Sequence, residues 1–97
     1  MTAFMIFHST VKDPDNFMSY AKSVAATLEP FGGRVLTKGK AKKVFAGEHT
    51  HQTVGVLSFP NLENAHGWYE SEAYQSLIPA RDAAADMTVI SYIEPTA

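Results

Sequence analysis

The chain has 97 residues, 45% hydrophobic and 19% charged, with eight basic and ten acidic side chains for a formal net charge of −2. By surface scaling, a chain of 10.6 kDa buries roughly 64% of its unfolded surface, enough for one domain spanning residues 1–97 and not for two. The longest apolar run falls far short of the roughly 20 residues a bilayer needs, so no membrane partner is expected. With no cysteine, disulfide scaffolds, thiol nucleophiles and thiolate-bound metal clusters are excluded. Met1 to Phe7 carry no positive leader and too short an apolar stretch for a signal peptide, which makes the cytoplasm the default location.

Charge is laid out unevenly. Residues 1–43 hold seven basic and three acidic groups (+4), whereas residues 44–97 hold one basic and seven acidic groups (−6). Arg34, Lys38, Lys40, Lys42 and Lys43 fall within ten positions. Lysines of this kind protect exposed strand edges, so the stretch is read as a solvated hairpin in preference to an anion-facing patch.

In chain order, Phe4 to Phe7 open a strand that continues through His8 to about Val11. Asp13 is suited to capping a helix, Pro14 to its first position, and Phe17, Ala21, Val24 and Leu28 recur at helical spacing. Pro30 disfavours helical geometry at Glu29, and Gly32 and Gly33 supply the backbone freedom to leave the helix. Extended pieces are predicted at Val35–Thr37 and Lys42–Ala46 around Gly39, then at Thr53–Phe59, which Pro60 stops. Asn61 caps a short helix carrying Leu62, Ala65, Trp68 and Tyr69. Ser71 caps a second helical segment with Tyr74, Leu77 and Ile78, which Pro79 is expected to break or kink before the alanine run. Asp86 is read as the end of the helical region, and Met87–Ile93 as the last strand. The order β-α-β-β-α-β is that of the ferredoxin-like split fold, an α+β arrangement with both helical segments on one face of an antiparallel sheet.

The strands are apolar on both sides. Phe4 and Ile6 oppose Met5 and Phe7, Val54 and Val56 oppose Leu57 and Phe59, and Ile90 and Tyr92 oppose Met87, Val89 and Ile93. A sheet with one wet face would alternate with polar residues. The face left bare by the helices therefore needs a cover, and a second copy in a homodimer is the simplest one.

Four blocks resemble a known family: Phe31-Gly32-Gly33-Arg34-Val35-Leu36, Leu57-Ser58-Phe59-Pro60-Asn61-Leu62-Glu63, Trp68-Tyr69-Glu70-Ser71-Glu72-Ala73-Tyr74-Gln75 and Arg81-Asp82-Ala83-Ala84. They are similar to the thirteen-thirty family of domains of unknown function, of the dimeric α+β barrel superfamily. The resemblance implies a ferredoxin-like protomer whose sheet pairs with its mate's to form a barrel. It brings no reaction with it. Phe31 stands where the family usually has tyrosine, and Lys38-Gly39-Lys40 where Arg-Gly-Gly is usual, so no role resting on that hydroxyl or arginine is carried over.

Motifs for chemistry are sparse. There is no nucleophile elbow, zinc-protease helix or dinucleotide loop, and the glycines between Gly33 and Lys40 have the wrong spacing for a phosphate loop. Glu48, His49 and His51 are read as solvated loop residues, and no metal or cofactor is expected. Phe45 is the only aromatic available beside the basic stretch, in a net acidic protein, which argues against nucleic acid. Four residues combine a polar head with an apolar setting, His8, Arg34, Tyr69 and Arg81, and Tyr74 is a further ligand-binding candidate. His8, in line with Phe4 and Ile6, is either a hydrogen-bonded core or interface histidine or a neutral base. Arg81 pairs with a carboxylate such as Asp86 or Glu94, or holds an acidic ligand. Tyr69 and Tyr74 are amphipathic core residues or hydroxyls that orient a ligand, and Arg34 points into a cleft or begins an edge strand. The leading expectation is a module binding a small anionic or aromatic metabolite near these residues. The alternative is a cofactor-independent lyase, isomerase or monooxygenase with His8 as base and Arg81 or Tyr69 stabilising negative charge.

Overall fold

The computed structural model describes residues 1–95. Strand β1 (Ala3–Val11) is followed by α1 (Pro14–Thr27), a short 3₁₀ turn (Glu29–Phe31), β2 (Arg34–Lys40), β3 (Thr53–Phe59), α2 (Leu62–Glu70), α3 (Glu72–Gln75), α4 (Ile78–Ala84) and β4 (Ala85–Ile93). The sheet runs β2-β3-β1-β4 with every neighbour antiparallel, the split order expected from the sequence.

The predicted caps work as read. The Asp13 carboxylate accepts from the Asn16 backbone N–H at 3.2 Å, and the Asn61 side chain accepts from Asn64 N–H at 2.7 Å. Gly32 leaves the 3₁₀ turn at φ 69°, a conformation open to glycine at little cost. Gly33 is required for a different reason: a Cβ there would lie 2.5 Å from Cε1 of the buried Phe59 ring.

Three local expectations are corrected. Lys42–Ala46 forms no strand; residues 41–52 make an irregular excursion closed by Ala41 N–H to Gln52 O at 2.7 Å. The reason is pairing: β2 continues through Gly39 to Lys40 against β3, with a bulge between Val35 and Thr37, so the chain makes no turn at Gly39. Pro79 opens α4 instead of breaking a helix, because its missing N–H and fixed φ suit a first turn, and the interruption falls at Ser76 and Leu77. The helical region ends at Ala84, so Asp86 belongs to β4, where it pairs with Lys12 at 3.4 Å.

Pleat alternation sorts β1 into two sets. Ala3, Met5, Phe7 and Ser9 are buried beneath the helices, in a core with Leu57, Phe59, Ala65, Trp68 and Tyr74. Phe4, Ile6 and His8 face the other way, in cross-strand rows Phe4 with Ser58 and Tyr92, Ile6 with Val56 and Ile90, and His8 with Val54 and Thr88. Among the described residues no helix covers that face, and Ile90 and Tyr92 on it remain exposed. The protomer is accordingly a slab of 33 × 31 × 17 Å.

Candidate functional site

One side chain from each helix meets at a single polar node beneath the helical layer. Arg81 of α4 donates through Nη1 to the Tyr69 hydroxyl of α2 at 3.0 Å and to the Tyr74 hydroxyl of α3 at 3.1 Å. The Tyr74 hydroxyl shares a 2.8 Å hydrogen bond with that of Tyr20 on α1. The break between α2 and α3 makes this possible: Ser71 in extended geometry turns the chain, its hydroxyl accepts from Tyr74 N–H at 3.2 Å, and Gln75 Nε2 donates to Tyr69 O at 2.8 Å. The rings beneath are close-packed, with Trp68 and Tyr74 centroids 4.5 Å apart and Tyr69 and Tyr74 4.9 Å apart. Trp68 also donates from Nε1 to Thr27 Oγ1 at 2.8 Å, which leaves it a packing residue with a satisfied handle.

Arg81 has a side chain only 13% exposed, and its carboxylate partner is Asp82, with Nε 3.0 Å from Oδ1, in place of the expected Asp86 or Glu94. Burial opposes its charge, but the hydrogen bonds to Tyr69, Tyr74 and Asp82 outweigh that and hold its pKa above the ordinary arginine value. Burial raises the Tyr20 phenol well above its usual range, reinforced by the bond to Tyr74. Burial also raises Tyr74, with the bonds to Tyr20 and Arg81 pulling in the opposite direction. Both phenols therefore stay protonated.

Beside this node lies a cleft of about 750 Å³ between α1 and the sheet. Phe7, Leu57 and Met87 line its sheet side and Met18, Ala21 and Ala25 its helix side, with Tyr20 among the lining residues. The exposed lysines Lys22, Lys38 and Lys40 stand at its rim. Gly55 of β3 also lines it, and a Cβ at Gly55 would meet nothing within 4 Å, so the missing side chain is open space within the cleft.

Of the residues singled out from sequence, the structure joins Tyr69, Tyr74 and Arg81 and sets His8 and Arg34 apart. His8 is on the opposite face of the sheet, its ring centroid 5.2 Å from that of His49, which lies 5.8 Å from that of His51. His51 hydrogen-bonds Thr10 Oγ1 through Nδ1 at 3.1 Å and Thr88 Oγ1 through Nε2 at 3.2 Å, pinning the 41–52 excursion across β1 and β4. Partial burial, then the neighbouring His49 and His51, lower the His8 pKa. Among the described residues no group of three His, Asp or Glu side chains is arranged to hold a metal ion. Arg34 is exposed and begins the edge strand β2, opposite Ser58. Tyr20 and Lys22 were not anticipated, and Lys38 and Lys40 were read as part of a solvated hairpin in preference to an anion-facing patch. For Tyr20 the signal was the Phe17-Tyr20-Val24 spacing, which places it on the inner side of α1.

The sequence model described as Domain of unknown function (DUF1330) matches residues 2–93. The chain belongs to this family. No protein of curated function matches the sequence significantly. Solved structures similar to this DUF1330 chain include a protein of unknown function from Rhodopseudomonas palustris, 16% identical, covering 97% of this chain and 84% of that one with a TM-score of 0.77. A dimeric ferredoxin-like protein of unknown function from Jannaschia sp. CCS1 is 8% identical, with 97% and 100% covered and a TM-score of 0.74. SnoaB, a cofactor-independent oxygenase from Streptomyces nogalater, is 11% identical, with 99% and 95% covered and a TM-score of 0.71. These likenesses establish the ferredoxin-like fold of the DUF1330 chain. No helix among its described residues is long and apolar enough to cross a membrane.

Proposed function

We propose that two copies of this chain pack through the bare faces of their sheets and that each binds a small molecule with an apolar or aromatic body and an anionic group. The observation that carries the binding half is the cleft of about 750 Å³, within the size range of small-molecule sites, greasy along its length and ringed by Lys22, Lys38 and Lys40. The dimer half is supported by surface area. A compact monomer of this mass exposes roughly 5,500 Å², whereas the chain exposes 6368 Å², an excess of about 900 Å² that matches one partner's share of a standard interface. The dimeric relative from Jannaschia points the same way.

The binding test uses 2-naphthoate, followed by amide chemical shifts. Perturbations are expected at Phe7, Leu57 and Met87, which line the cleft. Gly55→Leu, which fills the open space in the cleft, should abolish them, and Lys38→Gln with Lys40→Gln should weaken binding roughly fivefold, as two exposed charge contacts would. Shifts that are absent, lie elsewhere or survive Gly55→Leu reject the cleft.

A second reading, a cofactor-independent enzyme, draws on the likeness to SnoaB and on the Arg81-Tyr74-Tyr20 chain, which reaches the cleft only at Tyr20. In it the guanidinium and phenols stabilise negative charge developing on a bound substrate. His8, on the far face of the sheet, lies outside that cleft and does not serve as its base within one protomer. Recovering the probe after incubation in air separates binding from oxygenation: a binder returns it unchanged in mass and chromatographic retention, and an oxygenase returns it with added oxygen.

A further inference from the structure

Three side chains with hydroxyl groups line the cleft between α1 and the sheet, and two of the hydroxyls are committed elsewhere. That of Tyr20 is bonded to Tyr74 at 2.8 Å, and Thr53 Oγ1 donates to the Ser9 carbonyl at 3.2 Å. The third belongs to Ser9 and has no hydrogen-bond partner among the described residues. Ser9 is only 2% exposed, yet among the described residues no side-chain polar atom is both shut in and unpartnered, so the Ser9 oxygen keeps an opening. Pleat alternation sets Ser9 on the same side of β1 as Phe7, beneath the helices. A serine side chain ends one bond beyond Cβ, so its opening on that side is into the cleft that Ser9 and Phe7 both line. A hydroxyl enclosed there without a partner carries a cost that alanine, nearly the same in size, would avoid.

The floor of the cleft also changes character along its strands. Ser9 stands opposite Thr53 and Thr53 opposite Lys40, so one cross-strand row carries two hydroxyls and an ammonium group. The next row holds Phe7, Gly55 and Lys38, with open space above the glycine, and the one beyond it holds Leu57 and Val35. From the Ser9 row to the Leu57 row is four residues of strand, about 14 Å. We infer that Ser9 is a ligand-binding residue of the cleft, donating its hydroxyl hydrogen bond to a carboxylate held at the Ser9–Lys40 end while the ligand's apolar body lies over Gly55 toward Leu57. This rests on the cleft reading above and deepens it by giving the ligand a donor and a direction. Ser9 and Lys40 are two strand spacings apart, about 10 Å, so a carboxylate above Thr53 lies between them. The lysine supplies a mobile point charge on a flexible stem, whereas the serine donor is fixed by its strand and sets where the anion sits.

The test compares 2-naphthoate with 2-ethylnaphthalene, which has the same ring body and no anion. Ser9→Ala should weaken 2-naphthoate about tenfold, as loss of a hydrogen bond to a charged group does, and should not weaken 2-ethylnaphthalene. Its melting temperature should not fall, because the hydroxyl makes no bond within the chain. Nuclear Overhauser contacts in the wild type read the direction without any variant. Protons 1 and 3 of 2-naphthoate, beside the carboxylate, should contact the Met87 methyl, which lies in the Ser9 row, and protons 6 and 7, on the far ring, the Leu57 methyls. Equal affinity of Ser9→Ala and wild type for 2-naphthoate, an equal loss for both naphthalenes, or a reversed contact pattern overturns the Ser9 assignment and leaves the cleft reading standing. A lowered melting temperature with unchanged affinity overturns it too, by showing that the hydroxyl serves the fold. If 2-naphthoate makes no contact with Met87 or Leu57 at all, the cleft reading falls and the Ser9 assignment with it.

Discussion

Ile90→Asp puts the paired-sheet arrangement to its most direct trial. Ile90 sits at the middle of the bare face, across from Ile6 in the register of β1 and β4, and is 38% exposed in the protomer. Fully burying an isoleucine side chain contributes about 1.5–3 kcal/mol, so covering the share still exposed contributes about 1 kcal/mol per copy. An unpaired carboxylate taken out of water costs several kcal/mol, about 3 on a conservative choice. The substitution thus costs about 4 kcal/mol per copy. A two-fold interface contains the residue twice, which makes about 8 kcal/mol, more than five powers of ten in the dissociation constant. In an isolated protomer the same carboxylate would point into water and cost far less. Sedimentation equilibrium at micromolar concentration should therefore give twice 10.6 kDa for the wild type and 10.6 kDa for Ile90→Asp. The melting temperature of the wild type should rise with protein concentration, and that of the variant should not. A variant that remains dimeric with an unchanged melting temperature refutes the assignment of this face.

Two further outcomes are expected within the protomer. Gly33→Ala would drive a methyl group to 2.5 Å from the buried Phe59 ring, and should destabilise the fold by roughly 1–3 kcal/mol in urea titration; a neutral result would mean that the turn relaxes freely. His8 has its pKa lowered in the folded state, so the unfolded chain binds the extra proton first. Its contribution to stability is complete above the unfolded value of about 6.5 and is lost as pH falls below it toward the folded pKa. Unfolding free energies at pH 7.5 and 5.5 should differ less in His8→Gln than in the wild type. An identical slope in both would show that His8 is fully solvated.

Much of the fold was legible locally. Asp13 and Asn61 cap helices because a short acceptor side chain before a helical run meets orphan N–H groups wherever that run lies. Thr53–Phe59 is a strand because β-branched and aromatic residues in a row, stopped by Pro60, have few alternatives. The unpartnered face was legible too, since apolar residues on both sides of every central strand demand two covers and the helices provide one. Pairing partners were not. Lys42–Ala46 has the composition of a strand, but β2 runs on through Gly39 to Lys40 against β3, so no turn at Gly39 brings Lys42–Ala46 back along the open edge of β2. The same holds for the site. His8 and Arg81 both read as polar heads in apolar surroundings, and in a sequence apolar on both strand faces nothing says which face the helices cover. Tertiary packing decided it, sending His8 to the bare face and gathering Tyr20, Tyr69, Tyr74 and Arg81 from four helices into one node. Periodicity assigns a residue to a side of its own element, and which elements meet on that side is set by the burial of the whole chain.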